Sequence, residues 1–338
     1  MLVSIVVPCF NCEHTIQRTI NSLFRQTYRN LEIILIDDGS TDKTAHIVDN
    51  LKQTDSRIVV KHIPNKGVSH ARNVGINISQ GSFITFVDSD DELEPNIIQQ
   101  AIIAQKKIDA DIVFFGHADI TIKTSSTNRH DYSLVKPIDL TIAQHNETFF
   151  QTMFELERSR YLFSCWGKLI RKSWIADTRF ETDINYGEDT TWILTLLKKK
   201  GRIIAIPDIG YLYHQSSQGL LNSFSPKKSE SIVKAHQRQI QFYLWSQMPA
   251  EYQRFVQLRL TNDVFWALQT IKTVSVSVPL QKRMEFIKTL TDSPLRSMYL
   301  RNAKFASVGR WLKILFVINS DPLWLRYCAR PKTLTDMN

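Results

Sequence analysis

Two apolar runs, each followed directly by a group of carboxylates, constrain the fold of this chain more than any other feature. The run L-E-I-I-L-I leads into D-D-G-S-T-D, which ends at Asp42, and the run F-I-T-F-V leads into D-S-D-D-E, which ends at Glu92. Short β-branched and aromatic runs bounded by turn residues are typical of buried strands in an open α/β sheet. Because ligands bind beyond the carboxyl ends of such strands, the two acidic loops predict a binding site.

The first third of the chain repeats this pattern, with apolar strands and helices in alternation. This order predicts an α/β fold with a mostly parallel mixed sheet and helices on both faces. The predicted strands cover residues 3–7, 32–36, 58–62, 83–87 and 111–115, and the predicted helices cover residues 15–24, 41–51, 68–78 and 95–106.

The alternation is lost in the rest of the chain. Residues 120–144 are rich in Ser, Thr, Asn and His and predict a variable loop or flap, and after residue 225 the pattern turns helical with aromatic faces. We therefore predict an α/β domain of residues 1–222, with halves at 1–117 and 118–222, and a helical, basic and aromatic-rich region at 223–338.

The net charge is +9, from 42 Lys and Arg against 33 Asp and Glu, and basic residues dominate after Arg296. Such a segment suits an anionic partner, either nucleic acid or an anionic membrane surface. Apolar and aromatic residues are interleaved with basic ones at residues 311–318, which favours the membrane. A packed C-terminal helix with a basic, solvated face explains the same pattern and stays open.

Four cysteines, Cys9, Cys12, Cys165 and Cys328, are few for 338 residues and are explained by free thiols in an intracellular protein. Cys9 and Cys12 form a C-x-x-C, but no second pair follows to complete a zinc site. The N-terminus has neither a basic region nor a long apolar region, and it predicts a first strand rather than a signal peptide. No apolar stretch reaches about 18 residues, so we expect a cytoplasmic protein without a transmembrane helix.

The second acidic loop has the composition of a cation site. Five acids occur in the seven residues from 88 to 94, and they repel one another unless a cation is bound. Asp88 and Asp90 are two residues apart, so both carboxylates can approach one hard cation and leave its other positions to phosphate oxygens. The pattern predicts a nucleoside-diphosphate site. The alternative is that Asp88, Asp90 and Asp91 cap a helix beginning near Pro95, which explains one of them.

Five motifs in a fixed order are more specific than any of them alone. This order resembles the family-2 glycosyltransferases of bacterial surface polysaccharides, which have a Rossmann-like GT-A fold. The resemblance covers residues 1–218 and implies inverting transfer of a sugar from a nucleotide sugar to an acceptor hydroxyl, with Mg²⁺ or Mn²⁺. It makes residues 1–117 the nucleotide-sugar-binding half and residues 118–222 the acceptor-side half. The motifs are S-I-V-V-P-C-F-N at 4–11, Q-T-Y-R-N-L-E-I-I-L-I-D-D-G-S-T-D at 26–42, N-K-G-V-S-H-A-R-N-V-G-I at 65–76, G-S-F-I-T-F-V-D-S-D-D at 81–91 and G-E-D at 187–189.

The resemblance implies a binding site for the donor around the first four motifs. One carboxylate of Asp37 and Asp38 is expected to accept the N3–H of uracil, which cytosine lacks, and this favours a UDP-sugar. Phe10 is expected to stack on the base. An ordinary strand-to-helix turn is the alternative for Asn11, and a surface ion pair is the alternative for Arg72. The residues expected to bind the nucleotide sugar are Pro8, Phe10, Asn11, Asp37, Asp38, Lys66, Arg72, Asp88 and Ser89.

The resemblance also implies the base and the metal ligands. Asp189 matches the position of the base that takes the proton from the acceptor hydroxyl, and Glu188 is expected to hold the acceptor. The alternative is that both acids favour the N-terminus of a helix at residues 190–199. Asp90 is the expected metal ligand, with Asp88 toward the ribose or the metal.

Two further segments match the family. Trp166 and Lys168 resemble the acceptor-side loop of capsule and lipopolysaccharide transferases. The segment Y-L-Y-H at residues 211–214 resembles one that ends in arginine, and His214 stands in that place. A neutral imidazole binds a diphosphate less strongly than guanidinium does, or it joins the metal. A plain surface histidine is the alternative.

The expected partners are a UDP-sugar, a glycan or lipid-linked oligosaccharide acceptor and an anionic membrane surface. Nucleic acid is not expected, and a homo-oligomer is left open. The protein is expected to be cytoplasmic and peripheral at the inner face of the cell membrane. A sugar-phosphate nucleotidyltransferase is an alternative, although such enzymes usually bind phosphates through a glycine-rich first loop and S-I-V-V-P-C-F-N has no glycine. A non-catalytic nucleotide-sugar-binding protein would keep the acidic loops and have no use for a base.

Overall fold

The computed structural model describes residues 1–120, 127–130, 138–139, 146–214, 227–273 and 278–303. Three expectations lie wholly or largely outside the described residues. They are the variable loop at 120–144, the domain boundary at 222 and the basic segment with its aromatic run at 311–318.

The apolar runs of the first third form the strands expected of them. β1 (Val3–Cys9) and β2 (Leu31–Asp37) are buried along their whole length. This is typical of parallel strands whose two sheet faces are both covered by helices. The other described strands are β3 (Ile58–His62), β4 (Phe83–Phe86), β5 (Glu92–Leu93), β6 (Ile112–Ile120), β7 (Thr127–His130), β8 (Ile138–Asp139), β9 (Lys168–Arg171) and β10 (Arg202–His214).

The described strands join in the order β3-β2-β1-β4-β9-β6-β10-β5, with β7 beside β6 and β8 beside β10. The pairs β1–β2, β1–β4 and β2–β3 are parallel, while β9 is antiparallel to both β4 and β6. β10 is parallel to β6 and antiparallel to β5. The carboxyl ends of β2, β1 and β4 therefore lie side by side, and their loops meet at one edge of the sheet.

Amphipathic helices connect these strands. α1 (Ile16–Phe24) buries Ile16, Ile20 and Leu23, and their spacing of four and three residues places them on one helix face. The further described helices of the α/β part are α2 (Thr44–Thr54), α3 (Val68–Ile78), α4 (Ile97–Ile108), α5 (Glu147–Arg158), α6 (Lys172–Ile175) and α7 (Glu188–Leu197).

The chain divides into two compact units. The first contains Met1–Thr182 and Glu188–Gln215 and holds the sheet, and the second contains Asp183–Gly187 and Ser216–Asn338. The described helices of the second unit are α8 (Lys227–Trp245), α9 (Ala250–Thr273), α10 (Leu280–Thr291) and α11 (Arg296–Ala303). None of the described helices is both long and apolar enough to cross a membrane.

The predicted fold class is confirmed, with a mixed sheet, connecting helices and a helical C-terminal region. The antiparallel strands β5 and β9 were not among the predicted strands. The division at residue 222 stays a prediction.

Candidate active site

The candidate site lies at the edge where β1, β2 and β4 end. Backbone and side-chain hydrogen bonds join the first two loops there, since the Asp38 N–H donates to Cys9 O at 2.8 Å and the Asn11 N–H donates to Ser40 Oγ at 3.0 Å. Asn11 adopts a φ of +49°, and its Oδ1 accepts from the Thr41 N–H at 2.8 Å. The Asn11 side chain therefore fixes the two loops to each other.

Phe10 has the exposure expected of a stacking surface. Its side chain is 49% exposed directly after β1, whereas Pro8 is buried within that strand. Among Pro8, Phe10 and Asn11, only Phe10 thus presents an aromatic face that a base can cover.

Asp37 is buried at the end of β2 and organises the loop that follows. It is 3% exposed, accepts from the Ser40 N–H at 3.1 Å, and its other oxygen lies 2.8 Å from His62 Nδ1. This hydrogen bond raises the pKa of His62.

Asp38 is equally buried and fixes the chain that leads into α3. Its two oxygens accept from the N–H groups of Lys66 at 2.9 Å and Gly67 at 2.8 Å. The Lys66 side chain itself is exposed. A carboxylate has about four acceptor positions, so Asp37 and Asp38 each retain capacity for a base N–H.

The loop after β4 places its carboxylates in different environments. Asp91 is fully buried and accepts from the Tyr211 hydroxyl at 2.6 Å and the His214 N–H at 2.8 Å. Burial raises the pKa of Asp91 to about 8. Asp90 is half-buried, burial raises the pKa of its carboxyl group, and no other described residue donates a hydrogen bond to that carboxylate. Ser89 lies within hydrogen-bonding reach of the Cys12 thiol.

The alternative that these acids cap the next helix is wrong. α4 begins at Ile97, its N-cap is Asn96, and its first turn holds no acid. The acidic loop is therefore shaped by contacts with other elements. Among the described residues, its Asp90 carboxylate receives no hydrogen bond from another residue, and it is called the open carboxylate below.

One buried arginine joins the acidic loop to the start of α7. Arg72 Nη2 donates to Asp88 at 3.1 Å, and Nη1 donates to Glu188 at 3.1 Å and to Asp189 at 2.7 Å. The guanidinium also lies 5.5 Å from the ring centroid of Phe180. Only 4% of the Arg72 side chain is exposed, so the surface ion pair considered for it is wrong. Its predicted contact with base or diphosphate stays a prediction.

Three carboxylates on one guanidinium leave this cluster with excess negative charge when all are ionised. Burial raises the pKa of Glu188 to about 7 and that of Asp88 to about 6, in each case against the opposing effect of Arg72. Glu188 is therefore close to its titration point at neutral pH.

Asp189 is held at both carboxylate oxygens. Oδ1 accepts from Arg72, and Oδ2 accepts from the backbone N–H of Cys165 at 3.1 Å. Glu188 and Asp189 do lie in the first turn of α7, as the alternative predicted. Their side chains reach Arg72, and the two donors fix the orientation of Asp189.

Trp166 and Lys168 are close in sequence, but their side chains have different surroundings. The Trp166 ring stacks on Tyr211 with 4.2 Å between centroids and lies 5.8 Å from Tyr213. Lys168 is fully buried, and its Nζ donates to the carbonyls of Ser164 and Trp166. Trp166 is partly exposed, whereas Lys168 has no surface that an acceptor can reach in this structure.

His214 is paired with a carboxylate. Its Nε2 lies 3.0 Å from Glu92 Oε1, and Glu92 also pairs with Arg25 at 3.1 Å and Arg18 at 3.6 Å. The plain surface histidine considered from the sequence is therefore wrong. A metal at Nε2 would have to displace Glu92, whereas a metal at Nδ1 would leave this pair intact. The metal role of His214 stays a prediction.

The residues present fit a hard divalent cation. Mg²⁺ is usually bound through one or two carboxylates, with phosphate oxygens and water completing its shell. Asp90 offers an open carboxylate, and its charge acts on the neighbouring Asp88. The described part of the chain holds no group of three or more His, Cys, Asp or Glu side chains arranged for a metal. A cation held by Asp90 and Asp88 stays a prediction.

Several contributors to the site were not predicted. Asp91 and Tyr211 belong to the motifs D-S-D-D and Y-L-Y-H, so the spacing of those motifs could have indicated them. Arg18 donates to the backbone carbonyl of Asp90, and Cys165 contributes a backbone N–H. No sequence signal marks these two, because the fold alone brings them to the loop.

Comparisons with known proteins show the family of this chain. Residues 4–178 match the model of glycosyl transferase family 2. The uncharacterized glycosyltransferase EpsJ of Bacillus subtilis is 30% identical over 246 residues, which cover 72% of this chain and 70% of the relative. The Escherichia coli protein WfaP, a UDP-Glc:alpha-D-GlcNAc-diphosphoundecaprenol beta-1,3-glucosyltransferase, is 40% identical over 123 residues, which cover 36% of this chain and 47% of the relative.

A solved structure shares the fold. The crystal structure of S. aureus TarS 1-349 in complex with UDP-GlcNAc superposes with a TM-score of 0.67 at 19% identity, and the match covers 97% of this chain and 90% of that chain. The family model spans more than half of the 338 residues and agrees with the motif order, the fold and the relative from Bacillus subtilis. This chain therefore belongs to glycosyl transferase family 2.

Proposed function

We propose that this glycosyltransferase moves a sugar from a UDP-sugar to a hydroxyl of a glycan acceptor, with inversion at the anomeric carbon. The observation that carries the proposal is the pairing of buried Arg72 with Asp88 of the loop after β4 and with Asp189 of α7. One guanidinium thereby holds a donor-side acid and a candidate base in a single site.

The donor site is built from the loops after β1 and β2. Phe10 stacks on the base, and one carboxylate of Asp37 and Asp38 accepts the uracil N3–H. The TarS crystal structures with UDP-GlcNAc and with UDP support a UDP-sugar as donor, as does the UDP-Glc in the name of WfaP.

Asp90 and Asp88 would hold Mg²⁺ or Mn²⁺. When bound, the cation neutralises the charge that develops on the departing diphosphate. If His214 joins the cation, it does so through Nδ1, because its Nε2 is paired with Glu92.

Asp189 acts as the general base. Inversion requires the base on the side of the sugar opposite the departing diphosphate, where it takes the proton of the acceptor hydroxyl. Arg72 and the Cys165 N–H each donate to one oxygen of this carboxylate and thereby orient it. Glu188, held beside it by Arg72, positions the acceptor.

The proposed acceptor is a glycan, lipid-linked as in the name of the WfaP relative. Trp166 with its stacked tyrosines lines the acceptor side. Membership of the family favours sugar transfer over nucleotidyl transfer and over binding alone. A peripheral place on the membrane and a homo-oligomer stay predictions.

The variant Asp189→Asn tests the proposal. We expect its turnover to fall about 10³-fold, because the amide cannot take a proton, while UDP affinity and melting temperature stay near those of the wild type. UDP release is measured from UDP-glucose and UDP-GlcNAc with α-GlcNAc-diphosphoundecaprenol as acceptor, and proton NMR of the product reports its anomeric configuration.

Asp183→Asn is the matched control, since Asp183 is an exposed acid paired with Lys234 in the second unit. Its turnover is expected to equal that of the wild type. Normal turnover of Asp189→Asn would show that Asp189 is not the base. A product that retains the anomeric configuration of the donor would show that the transfer is not inverting.

A further inference from the structure

Lys168 is a buried lysine for which sugar transfer as proposed has no direct use. It is 0% exposed at the first position of β9, and its Nζ donates to Ser164 O at 2.7 Å and Trp166 O at 2.9 Å. Its Nζ also lies 5.4 Å from the centroid of the Phe114 ring. A buried ammonium is costly unless its donors are satisfied, and here two backbone carbonyls of one short loop satisfy it.

These two hydrogen bonds tie the loop of residues 164–167 to the buried Lys168 side chain. Gly167 turns the loop with a φ of +71°, and its carbonyl accepts from the Phe115 N–H at 3.0 Å. On the other side the Trp166 ring stacks on Tyr211. Three contacts therefore fix the loop: Lys168 binds two of its carbonyls, β6 binds the Gly167 carbonyl, and Tyr211 stacks on the Trp166 ring.

The fixed loop directs one backbone group at the candidate base. The Cys165 N–H, between the two carbonyls that bind Lys168, donates to Asp189 Oδ2 at 3.1 Å. Arg72 holds only Oδ1 of that carboxylate. Without the second donor, the single hydrogen bond from Arg72 to Oδ1 would be left to set the rotation of the Asp189 carboxylate about its last side-chain bond.

We propose that Lys168 is a positioning residue, which holds the 164–167 loop so that the Cys165 N–H orients the Asp189 carboxylate. This inference rests on the proposed function of Asp189 as base. It gives Lys168 a defined task within the acceptor-side loop that the sequence resemblance implied.

The variant Lys168→Met tests the proposal, because methionine has a similar length and no donor. Turnover of UDP-glucose or UDP-GlcNAc is expected to fall about 10- to 100-fold, as for other small misplacements of a reacting group. The KM for the donor is expected to stay within about twofold, because the donor loops are untouched. Lys168→Gln keeps a shorter side chain with donors and is expected to lie between Met and Lys.

Two buried thiols report on the loop without any substrate. Cys165 lies in the loop and is 0% exposed, and Cys9 lies in β1 and is 1% exposed. Under native conditions with N-ethylmaleimide, peptide mass spectrometry measures the labelling rate of each thiol. In Lys168→Met, labelling of Cys165 is expected to rise about 10-fold while that of Cys9 stays constant, because only the loop opens.

Leu169→Ala is the matched control. Leu169 is the next residue of β9, is 0% exposed and packs in the core, so the change destabilises the fold without removing a loop contact. Its turnover is expected to be retained and its two thiols to become reactive together. Gly167→Ala strains the loop with Lys168 in place, since a Cβ there lies 3.3 Å from Phe115 O. It is expected to reproduce the pattern of Lys168→Met.

Each outcome decides the inference. Unchanged Cys165 labelling in Lys168→Met, or labelling of Cys9 and Cys165 that rises in parallel, overturns the role in the loop. Faster Cys165 labelling with unchanged turnover overturns the link to Asp189. If the wild type transfers no sugar from any UDP-sugar, the proposed function fails by itself, and the thiol labelling still shows whether Lys168 holds the loop.

Discussion

Arg72 is the residue on which the charge balance of the site depends. It is buried, and its guanidinium pairs with Asp88, Glu188 and Asp189. The motif N-K-G-V-S-H-A-R predicted that Arg72 binds the nucleotide sugar, and it did not predict the ion pairs of Arg72 with Glu188 and Asp189. Its partners Glu188 and Asp189 lie 116 and 117 positions further along the chain, and only the fold brings them together.

Arg72→Gln is expected to lower the free energy of unfolding by about 3–5 kcal/mol at pH 8, because buried carboxylates lose their cation. The loss is expected to be smaller at pH 5.5, since Glu188 and Asp88, with pKa values of about 7 and about 6, then take up protons. Urea unfolding at the two pH values measures the difference.

Arg171→Gln provides the control for this prediction. Arg171 pairs with Asp109 and Asp111 and is 25% exposed, so its loss is expected to be smaller and the same at both pH values. An equal loss at pH 5.5 and pH 8 for Arg72→Gln would contradict the charge balance derived from the cluster.

At the scale of elements, periodicity predicted the helices and parallel strands well. α3 spans Val68–Ile78, as predicted, whereas α2 begins at Thr44 rather than at residue 41. The later start has a local cause, since Asp42 accepts from the Thr44 N–H at 2.9 Å and the chain turns before the helix begins. The predicted start was therefore wrong by three residues.

The antiparallel strands could not be predicted in the same way. β9 is four residues long and pairs with β4 and β6, far away in sequence. Short strands of this kind depend on long-range pairing and carry little periodicity. The same limit applies to the site. The acidic motif is a local pattern and predicted Asp88 and Asp90, whereas the bond from the Cys165 N–H to Asp189 depends on long-range folding and has no local pattern.

The packing of α3 on β1 gives a prediction at this scale. A Cβ on Gly75 would lie 2.3 Å from Val6 Cγ1, so Gly75→Ala is expected to destabilise the protein by about 1–3 kcal/mol despite its better helix propensity. Val6→Ala makes room for the new methyl group. The double variant is therefore expected to lose less stability than the sum of the single variants, as measured by urea unfolding. Additive losses would show that α3 does not approach β1 this closely.

At the scale of the whole molecule, the acidic site sets how stability depends on pH, although the chain has a net charge of +9. Burial raises the pKa of Asp91 to about 8, of Glu188 to about 7 and of Asp88 to about 6. Such groups take up protons on folding, so their stabilisation is complete below the unfolded pKa and is lost as the pH rises through the folded pKa.

We therefore expect the melting temperature to fall between about pH 5 and pH 7. Burial lowers the pKa of His214 and His236, and these two groups act against the three carboxyl groups within that range. Lys168, with its pKa lowered to about 7, has this opposite effect above that range. Differential scanning calorimetry in buffers of equal ionic strength checks this, and a melting temperature that rises across the range would contradict it.

Donor binding is expected to reverse this dependence. A cation on Asp90 and Asp88 favours their ionised forms, so binding of UDP with Mn²⁺ releases protons and stabilises the protein more at pH 8 than at pH 5.5. In a thermal-shift series, GDP and dTDP with Mn²⁺ are expected to give smaller shifts than UDP. Asp90→Asn is expected to abolish the effect of Mn²⁺, whereas Asp49→Asn, at an acid that is 57% exposed, is expected to leave it unchanged. If UDP stabilises the protein equally with and without Mn²⁺, the assignment of Asp90 as a metal ligand is wrong, because a cation shared by Asp90 and the diphosphate would strengthen UDP binding.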